Sequence, residues 1–419
     1  MKQLLSTLFL ALLLIAGQPL TAPVQGQETI AVLIDGLPLN LDVSPVIQND
    51  RTLVPFRAIA EAMNITVEWD NQSRTVNASD GKISVRMQID NQTAYLNNTP
   101  TALDTAPQIT AGRTLIPLRF FSEAFNCQVD WNPGLRKVSI ISPSKSMTVI
   151  GFYALGDNET SSWTNLFGQS YPASAPGNTD ALSELALGWY SLDQDGNLLT
   201  QSRTGWQKPE GWEKVMEAAR QYNLQTEMVI HVTDADNTIS NLLSNPAAMS
   251  RAVKAISDEA RQFRGVNLDF EGLGYNDSGE QLKQVQQRFT SFINLLSQEL
   301  KINGSRLTLT LHAPNSAYPG YDYQALGKIA DRIIIMAYDY GSKPEPINQV
   351  EQAVKIAVAS VPAQKLILGI SAPSETDASI ATKIGMAKRY NLNGVALWRL
   401  GLLNEGMWEV LRDSAEAKR

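Results

Sequence analysis

The hydrophobic positions of this chain change period twice along its length. An apolar run from Leu4 to Ala16 comes first, with Lys2 before it and Gly17, Pro19 and small residues after it. At about thirteen residues it is short for a bilayer span. Its charged, apolar, small order predicts an export signal, residues 1–26, cleaved after Gly26. Short alternating segments and brief helical ones follow to about residue 143. From Met147 the pattern changes to apolar runs separated by longer helix-like stretches. The runs are Thr148 to Tyr153, Glu184 to Ser191, Glu227 to Val232, Gly265 to Phe270, Leu307 to His312, Arg332 to Tyr338, Lys365 to Ile370 and Gly394 to Trp398. The stretches between them include Pro209 to Tyr222, Pro246 to Phe263, Gly279 to Ile302 and Ile347 to Ser360. Strand alternating with helix is the signature of parallel βα units, and eight repeats of it predict a (β/α)8 TIM barrel over residues 147–419.

Residues 27–143 carry an internal repeat. R-T-L-V-P-F-R-A-I-A-E-A-M-N begins at Arg51, and R-T-L-I-P-L-R-F-F-S-E-A-F-N begins at Arg113, 62 residues later. The match continues through Val67 and Val129, Trp69 and Trp131, Arg74 and Arg136, then Val76 and Val138. Each copy reads as a strand ended by proline, a short amphipathic helix, and an alternating strand closed by a turn. The unit is a small α+β fold, so the whole chain belongs to the α/β class with a repeated α+β domain ahead of the barrel. The R-T-x-[VI]-P-x-R and V-x-W patterns resemble the copper amine oxidase N-terminal-like domain. That resemblance implies a spacer or wall-associating module. No histidine lies in this segment, so its residues give a copper site no support. Trp69 and Trp131 read as core residues or as platforms for sugar rings.

Composition narrows the chemistry. Lys plus Arg is 35 against Asp plus Glu 42, a formal net charge of -7, which argues against a nucleic-acid partner. The single cysteine, Cys127, excludes an intramolecular disulfide and reads as a small buried apolar residue. Two histidines, His231 and His312, leave Asp, Glu and Tyr to carry any catalysis. No metal and no cofactor is expected. No membrane span is expected after signal cleavage, which predicts a secreted or cell-wall-associated bacterial protein.

In a barrel of this type the chemistry sits at the C-terminal ends of the strands. Tyr153, Trp189, Tyr190, His231, Asp269, Glu271, His312, Tyr338, Asp339 and Trp398 fall there. Aromatics and carboxylates without a cationic cluster suggest a neutral, ring-shaped ligand. Within R-G-V-N-L-D-F-E-G, Arg264 to Gly272, residues two apart share a strand face, so Asn267, Asp269 and Glu271 point the same way. Two carboxylates this close do not both ionise easily, and one is expected to hold a proton near neutral pH.

This stretch resembles the D-G-x-D-x-D-x-E signature of the family 18 glycoside hydrolases. Met336-Ala337-Tyr338-Asp339 resembles their M-x-Y-D, and Trp398 their strand-eight tryptophan. The resemblance implies a retaining, substrate-assisted hydrolysis of a β-linked N-acetylglucosamine polymer. It makes Glu271 the acid and later the base, Asp269 the group that orients the substrate acetamide, and Tyr338 its hydrogen-bond donor. Asn267, Asp339, Trp398, Tyr153, Trp189 and His312 are candidate substrate contacts. Arg264 and Asn267 depart from the signature, the second leaving Asp269 no carboxylate partner with which to share a proton. The N-x-D-x-E form and a short connection between strands seven and eight favour peptidoglycan over chitin as the polysaccharide partner, in wall turnover or spore germination. A chitinase is the nearest alternative. A glycan-binding protein without turnover is disfavoured by the presence of both Asp269 and Glu271.

Overall fold

Proline decides where the repeated units turn. Pro55 and Pro117 each end a strand and begin a helix, because a fixed φ suits the first turn and a missing N–H removes nothing the helix uses. In the computed structural model, which describes residues 29–154 and 161–419, these strands are Arg51–Pro55 and Arg113–Pro117, and the helices are Phe56–Ala62 and Leu118–Ala124. The expected signal, residues 1–26, lies outside the described residues. The two strands pair antiparallel with Leu53 opposite Pro117, Val54 opposite Ile116 and Pro55 opposite Leu115. Each pair joins a residue to its repeat counterpart's neighbourhood symmetrically, so a local two-fold axis passes between Val54 and Ile116. Phe56 and Phe121 meet edge-on at 5.3 Å across that axis, in a core that also holds Ile59, Val76, Val138 and Ile140. After each helix comes a hairpin, Thr66–Asp70 with Thr75–Ser79 and Gln128–Asn132 with Lys137–Ile141.

Eight parallel strands follow: β1 (Lys145–Tyr153), β2 (Glu184–Leu192), β3 (Gln225–Thr233), β4 (Gly265–Glu271), β5 (Arg306–His312), β6 (Arg332–Met336), β7 (Leu366–Ser371) and β8 (Gly394–Trp398). They pair in order, and β8 and β2 both pair with β1, so the sheet closes into a barrel. Helices between successive strands cover its outside. The longest, Gly279–Ile302, buries Phe289, Phe292, Ile293, Leu296 and Leu300, the three-and-four spacing of one helical face. The eight strands expected from the hydrophobic runs are the eight observed.

Strand alternation sorts every side chain to one of two cores. Leu268 and Phe270 of β4 pack outward under the helices with Leu185, Met228, Leu309 and Leu368. Ile150, Phe152, Ala186, Val229, Ile334, Ile367 and Ala396 fill the barrel itself. Below them, at the N-terminal end, lies a buried charged layer. Arg332 reaches Glu184 at 2.5 Å and Glu227 at 2.9 Å, and Arg306 reaches the same two at 2.6 and 3.1 Å. Thr308 donates to Glu227 Oε1 at 2.8 Å.

The repeated module rests on the barrel helix Asp377–Arg389. Arg389 donates to the carbonyls of Leu37 and Pro38, both at 3.1 Å, and Asn64 donates to the carbonyl of Lys388 at 2.9 Å. Gly385 permits the approach, since a Cβ there would sit 2.3 Å from Cβ of Asp35. Among the described residues no helix is long and apolar enough to cross a membrane.

Removing one member of the charged layer strands its partners in a dry interior. Arg332→Met is expected to lower unfolding stability by about 3–5 kcal/mol, because Glu184 and Glu227 lose a shared cation. Lys254→Ala, which breaks the far more exposed pair with Asp258, is expected to cost less than about 1 kcal/mol. Denaturant titration of both variants beside wild type checks the contrast.

Candidate active site

The site grows from β4. Asn267, Asp269 and Glu271 all face the barrel interior at successively higher levels. Asn267 is fully buried, Asp269 is 3% exposed, and Glu271 is half-buried at the mouth. Thr310 of β5 donates its hydroxyl to Asn267 Oδ1 at 2.7 Å. Above that contact the pairing stops. Asn267 Nδ2 and Asp269 Oδ1 are both buried without a hydrogen-bond partner. Unsatisfied buried polar atoms are expensive, and stacking two in adjacent layers marks this face as built for something other than stability.

His231 of β3 stands beside Asp269 in the strand register and turns its Nε2 to within 3.7 Å of Glu271 Oε1. Its Nδ1 lies 3.3 Å from the Thr204 hydroxyl. One donor atom from each of His231, Asp269 and Glu271 falls within 4.8 Å of the others. Burial works against charge on His231, but Glu271 and Asp269 outweigh it and raise its pKa. Burial likewise opposes ionisation of Glu271, yet His231 and His312 hold its carboxyl below the usual range. Asp269 has weaker help, from His231 alone. Burial, and then the Glu271 charge, push it well above the ordinary carboxylate value. Burial and the neighbouring charge thus push the two carboxyls in opposite directions. The deeper burial of Asp269 favours the proton there over Glu271.

The rim surrounds this pair with aromatic rings. Tyr338 follows β6, and Gly369 of β7 leaves room for it, since a Cβ there would lie 3.2 Å from Tyr338 Cε1. Burial and the charges of Asp269 and Glu271 raise its pKa, so its hydroxyl stays a donor. Asp339 is exposed, in the left-handed backbone region at φ 63°. The buried Glu345 carboxylate holds it there by accepting the N–H groups of Asp339 and Tyr340, each at 3.0 Å. Trp398 closes β8, half-buried, edge-on to Phe152 at 5.3 Å and tilted against Trp206 at 5.1 Å. His312, at the end of β5, stacks on Tyr318 at 4.1 Å, and Tyr318 meets the exposed Tyr275 at 5.4 Å.

Three expected substrate contacts need correction. Tyr153 and Trp189 are fully buried and face outward, into the layer between strands and helices. Alternation gives their inward places to Phe152 and Gly188. Trp206 uses the space at Gly188, where a Cβ would meet its ring at 2.6 Å. Asn267 lies too deep to touch a ligand and sits instead as the floor under Asp269. Conversely, Trp206, Thr204, Tyr318 and Tyr275 reach the rim from connecting loops. Their only sequence signal was an aromatic or hydroxyl residue beside Gly or Pro in a long β-to-α connection.

An eight-stranded barrel with a buried carboxylate pair opening between aromatic platforms at its C-terminal rim is the frame of a glycoside hydrolase. Residues 149–375 match the glycosyl hydrolases family 18, and the chain belongs to that family. Residues 33–140 match the copper amine oxidase N-terminal domain. Among curated relatives, the chain is 31% identical over 144 residues to YdhD of Bacillus subtilis (strain 168), provisionally named a sporulation-specific glycosylase, covering 32% of each protein. It is 22% identical to the cortical fragment-lytic enzyme of the same organism, over 45% of this chain and 60% of that one. The chain thus spans about a third and under two thirds of these relatives' own lengths. The fold is shared with the spore cortex-lytic enzyme SleL of Bacillus megaterium QM B1551, with a TM-score of 0.54 at 17% identity, covering 75% of this chain and 80% of that one. It is shared too with a chitinase of Chromobacterium violaceum ATCC 12472, with a TM-score of 0.53 at 19% identity, covering 64% and 98%.

A buried acid with a raised folded-state pKa binds its proton more tightly folded than unfolded. Its contribution is fully present below the unfolded carboxylate value and is lost as pH rises through the folded one. Each pH unit inside that window is worth about 1.4 kcal/mol. Asp269→Asn removes this loss, so the melting temperature of the variant is expected to gain on wild type as pH rises from 4 to 8. Thermal unfolding across that range checks it; a constant difference would contradict the assignment of the proton to Asp269.

Proposed function

We propose that the protein is an exported bacterial hydrolase, residues 27–143 a wall-associating module and residues 147–419 the catalytic barrel, that cuts β-linked N-acetylglucosamine polymers, peptidoglycan foremost. The observation that carries this reading is the carboxylate pair on one face of β4, with buried Asp269 below a half-buried Glu271 that faces His231 at 3.7 Å. Inverting glycosidases keep their two carboxyls about 6.5–9.5 Å apart to admit a water between them. Here one oxygen of each carboxyl lies within 4.8 Å of the other and of a His231 nitrogen, on the same side of the cleft. That separation favours retention, with the nucleophile supplied by the substrate's own 2-acetamido carbonyl.

In this scheme the sugar covers Glu271 and displaces its water, and the proton stored on Asp269 passes to Glu271. Asp269, now ionised, accepts the acetamide N–H, and Tyr338 donates to the acetamide oxygen. Glu271 protonates the glycosidic oxygen as the bond to the anomeric carbon breaks and the acetamide oxygen closes an oxazolinium ring. The Glu271 carboxylate then takes a proton from water, whose oxygen attacks the anomeric carbon and reopens the ring. Trp398, with Trp206 behind it, forms the floor for the sugar, while Asp339 and His312 border it. Peptidoglycan is favoured over chitin because a single helix, Asp377–Arg389, joins β7 to β8 and leaves the cleft open to a cross-linked polymer. The cortex-lytic names of the relatives agree with this.

The mature protein is expected to release new N-acetylglucosamine reducing ends from vegetative peptidoglycan or spore cortex, and Glu271→Gln to lower the rate by at least about a thousandfold. Chitin turnover with inert peptidoglycan would overturn the substrate assignment, and inertness on every polymer would overturn the hydrolase reading of the site. A cation at His231 lowers the pKa of both carboxyls. His231→Gln is therefore expected to move both limbs of a bell-shaped pH–rate profile to higher pH. A profile that loses height without moving would show that His231 only shapes the pocket.

A further inference from the structure

Two grooves lie on either side of the local two-fold axis in the repeated module. One, of about 690 Å³, is lined by Asp42, Arg57, Glu61, Val67, Trp69 and Arg113 among others. The second, of about 470 Å³, is lined by the residues 62 positions away: Asp104, Arg119, Glu123, Val129, Trp131 and, from the first copy, Arg51. Each groove is built from both copies and stapled across them, by Arg113 to Asp42 at 2.5 Å and by Arg51 to Asp104 at 2.6 Å.

The lining is what the duplication has kept. Eleven positions are identical in the two copies while at least partly exposed in both, and eight of them line the grooves. Of the other three pairs, Asn64 with Asn126 and Arg74 with Arg136 stand at left-handed backbone positions, leaving Pro38 with Pro100. Surface positions of a duplicated unit drift unless something holds them. Trp69, 37% exposed, is held there although an open indole gains little from burial.

We propose that these are paired binding sites for a neutral polysaccharide strand. In the first groove Arg57 and Arg113 balance Asp42 and Glu61, which disfavours a phosphate or nucleic-acid ligand and suits a polyhydroxyl one. A pyranose ring offers an apolar C–H face to the indole and to Val67. Its hydroxyl edge meets guanidinium donors and carboxylate acceptors side by side, as the Arg–Asp staple presents them. The grooves are open at the surface, so a polymer can run through them. Two sites on one rigid module gain by effective concentration on a repeating ligand. The identity of the polymer as the barrel's own N-acetylated amino-sugar strand rests on the reading under "Proposed function"; the existence of the sites does not.

The test is co-sedimentation of the full mature chain, carrying Glu271→Gln to prevent turnover, with purified peptidoglycan and with chitin. Trp69→Ala with Trp131→Ala is expected to weaken binding at least tenfold to one or both polymers, and each single change to weaken it less. Trp69→Tyr with Trp131→Tyr, which keeps a flat ring, is expected to restore most of it. Arg57→Ala with Arg119→Ala, at exposed positions, is expected to give a loss of its own without lowering the melting temperature. Unchanged binding by both double-alanine proteins overturns the proposal, whatever the barrel hydrolyses. Turnover by the Glu271 protein on the same polymers reports the catalytic reading separately.

Discussion

A closed barrel turns every second side chain of eight strands into a space that water cannot fill, and any polar group placed there must find a partner inside. That single requirement orders this protein from bottom to top. At the N-terminal end it is met by charge pairing: Glu184, Glu227, Arg306, Arg332 and Thr308 bind one another across four strands, and among their described contacts Glu227 Oε2 alone lacks a hydrogen bond. In the middle it is avoided by Ile150, Ala186, Val229, Ile334 and Ile367. On β4 it is violated, because Asn267 Nδ2 and Asp269 Oδ1 have no partner. Satisfied layers hold the fold, and the unsatisfied layer above them is where a ligand has something to supply.

The same requirement accounts for His231. A carboxylate at the mouth of a dry barrel tends toward its neutral form, and so does one just beneath it. If both followed that tendency, the cleft would hold two neutral acids and no charge to stabilise a cationic intermediate. His231, beside Glu271 and itself raised, biases the outcome toward an ionised upper group over a neutral lower one, while burial holds His312 toward its neutral form. Asn267 contributes by being neutral. A carboxylate in its place would compete with Asp269 for the proton, whereas the amide, anchored by Thr310, only sets the height at which Asp269 stands.

Much of this was legible in the residue pattern. The apolar runs located all eight strands because a parallel strand buried on both faces is a nearly continuous apolar run, broken here by few polar positions. The Asn267, Asp269 and Glu271 row was legible from a period of two. What misled was proximity in sequence to a strand end. Tyr153 and Trp189 stand as near the rim as His231 does, yet alternation alone sends them outward, and the bulge in β2 between Leu187 and Tyr190 shifts the register there. Trp206 was illegible for a different reason. Its place against Trp398 depends on Gly188 leaving a hole, a contact between a loop and a strand that no local period encodes.

The repeated module extends this logic from one strand pair to a whole surface. Its core is apolar and shared across a two-fold axis, and its exposed Arg, Asp, Glu and Trp positions recur in both halves with the same neighbours. A spacer needs the first property alone. The second is shaped like a contact surface, and the module is fixed to the barrel by Arg389, Lys388 and Asn64 at the C-terminal end of a barrel helix. That helix runs back from the catalytic rim toward the charged layer, so its last turn lies at the far end of the barrel from Glu271. A module seated there leaves the rim clear.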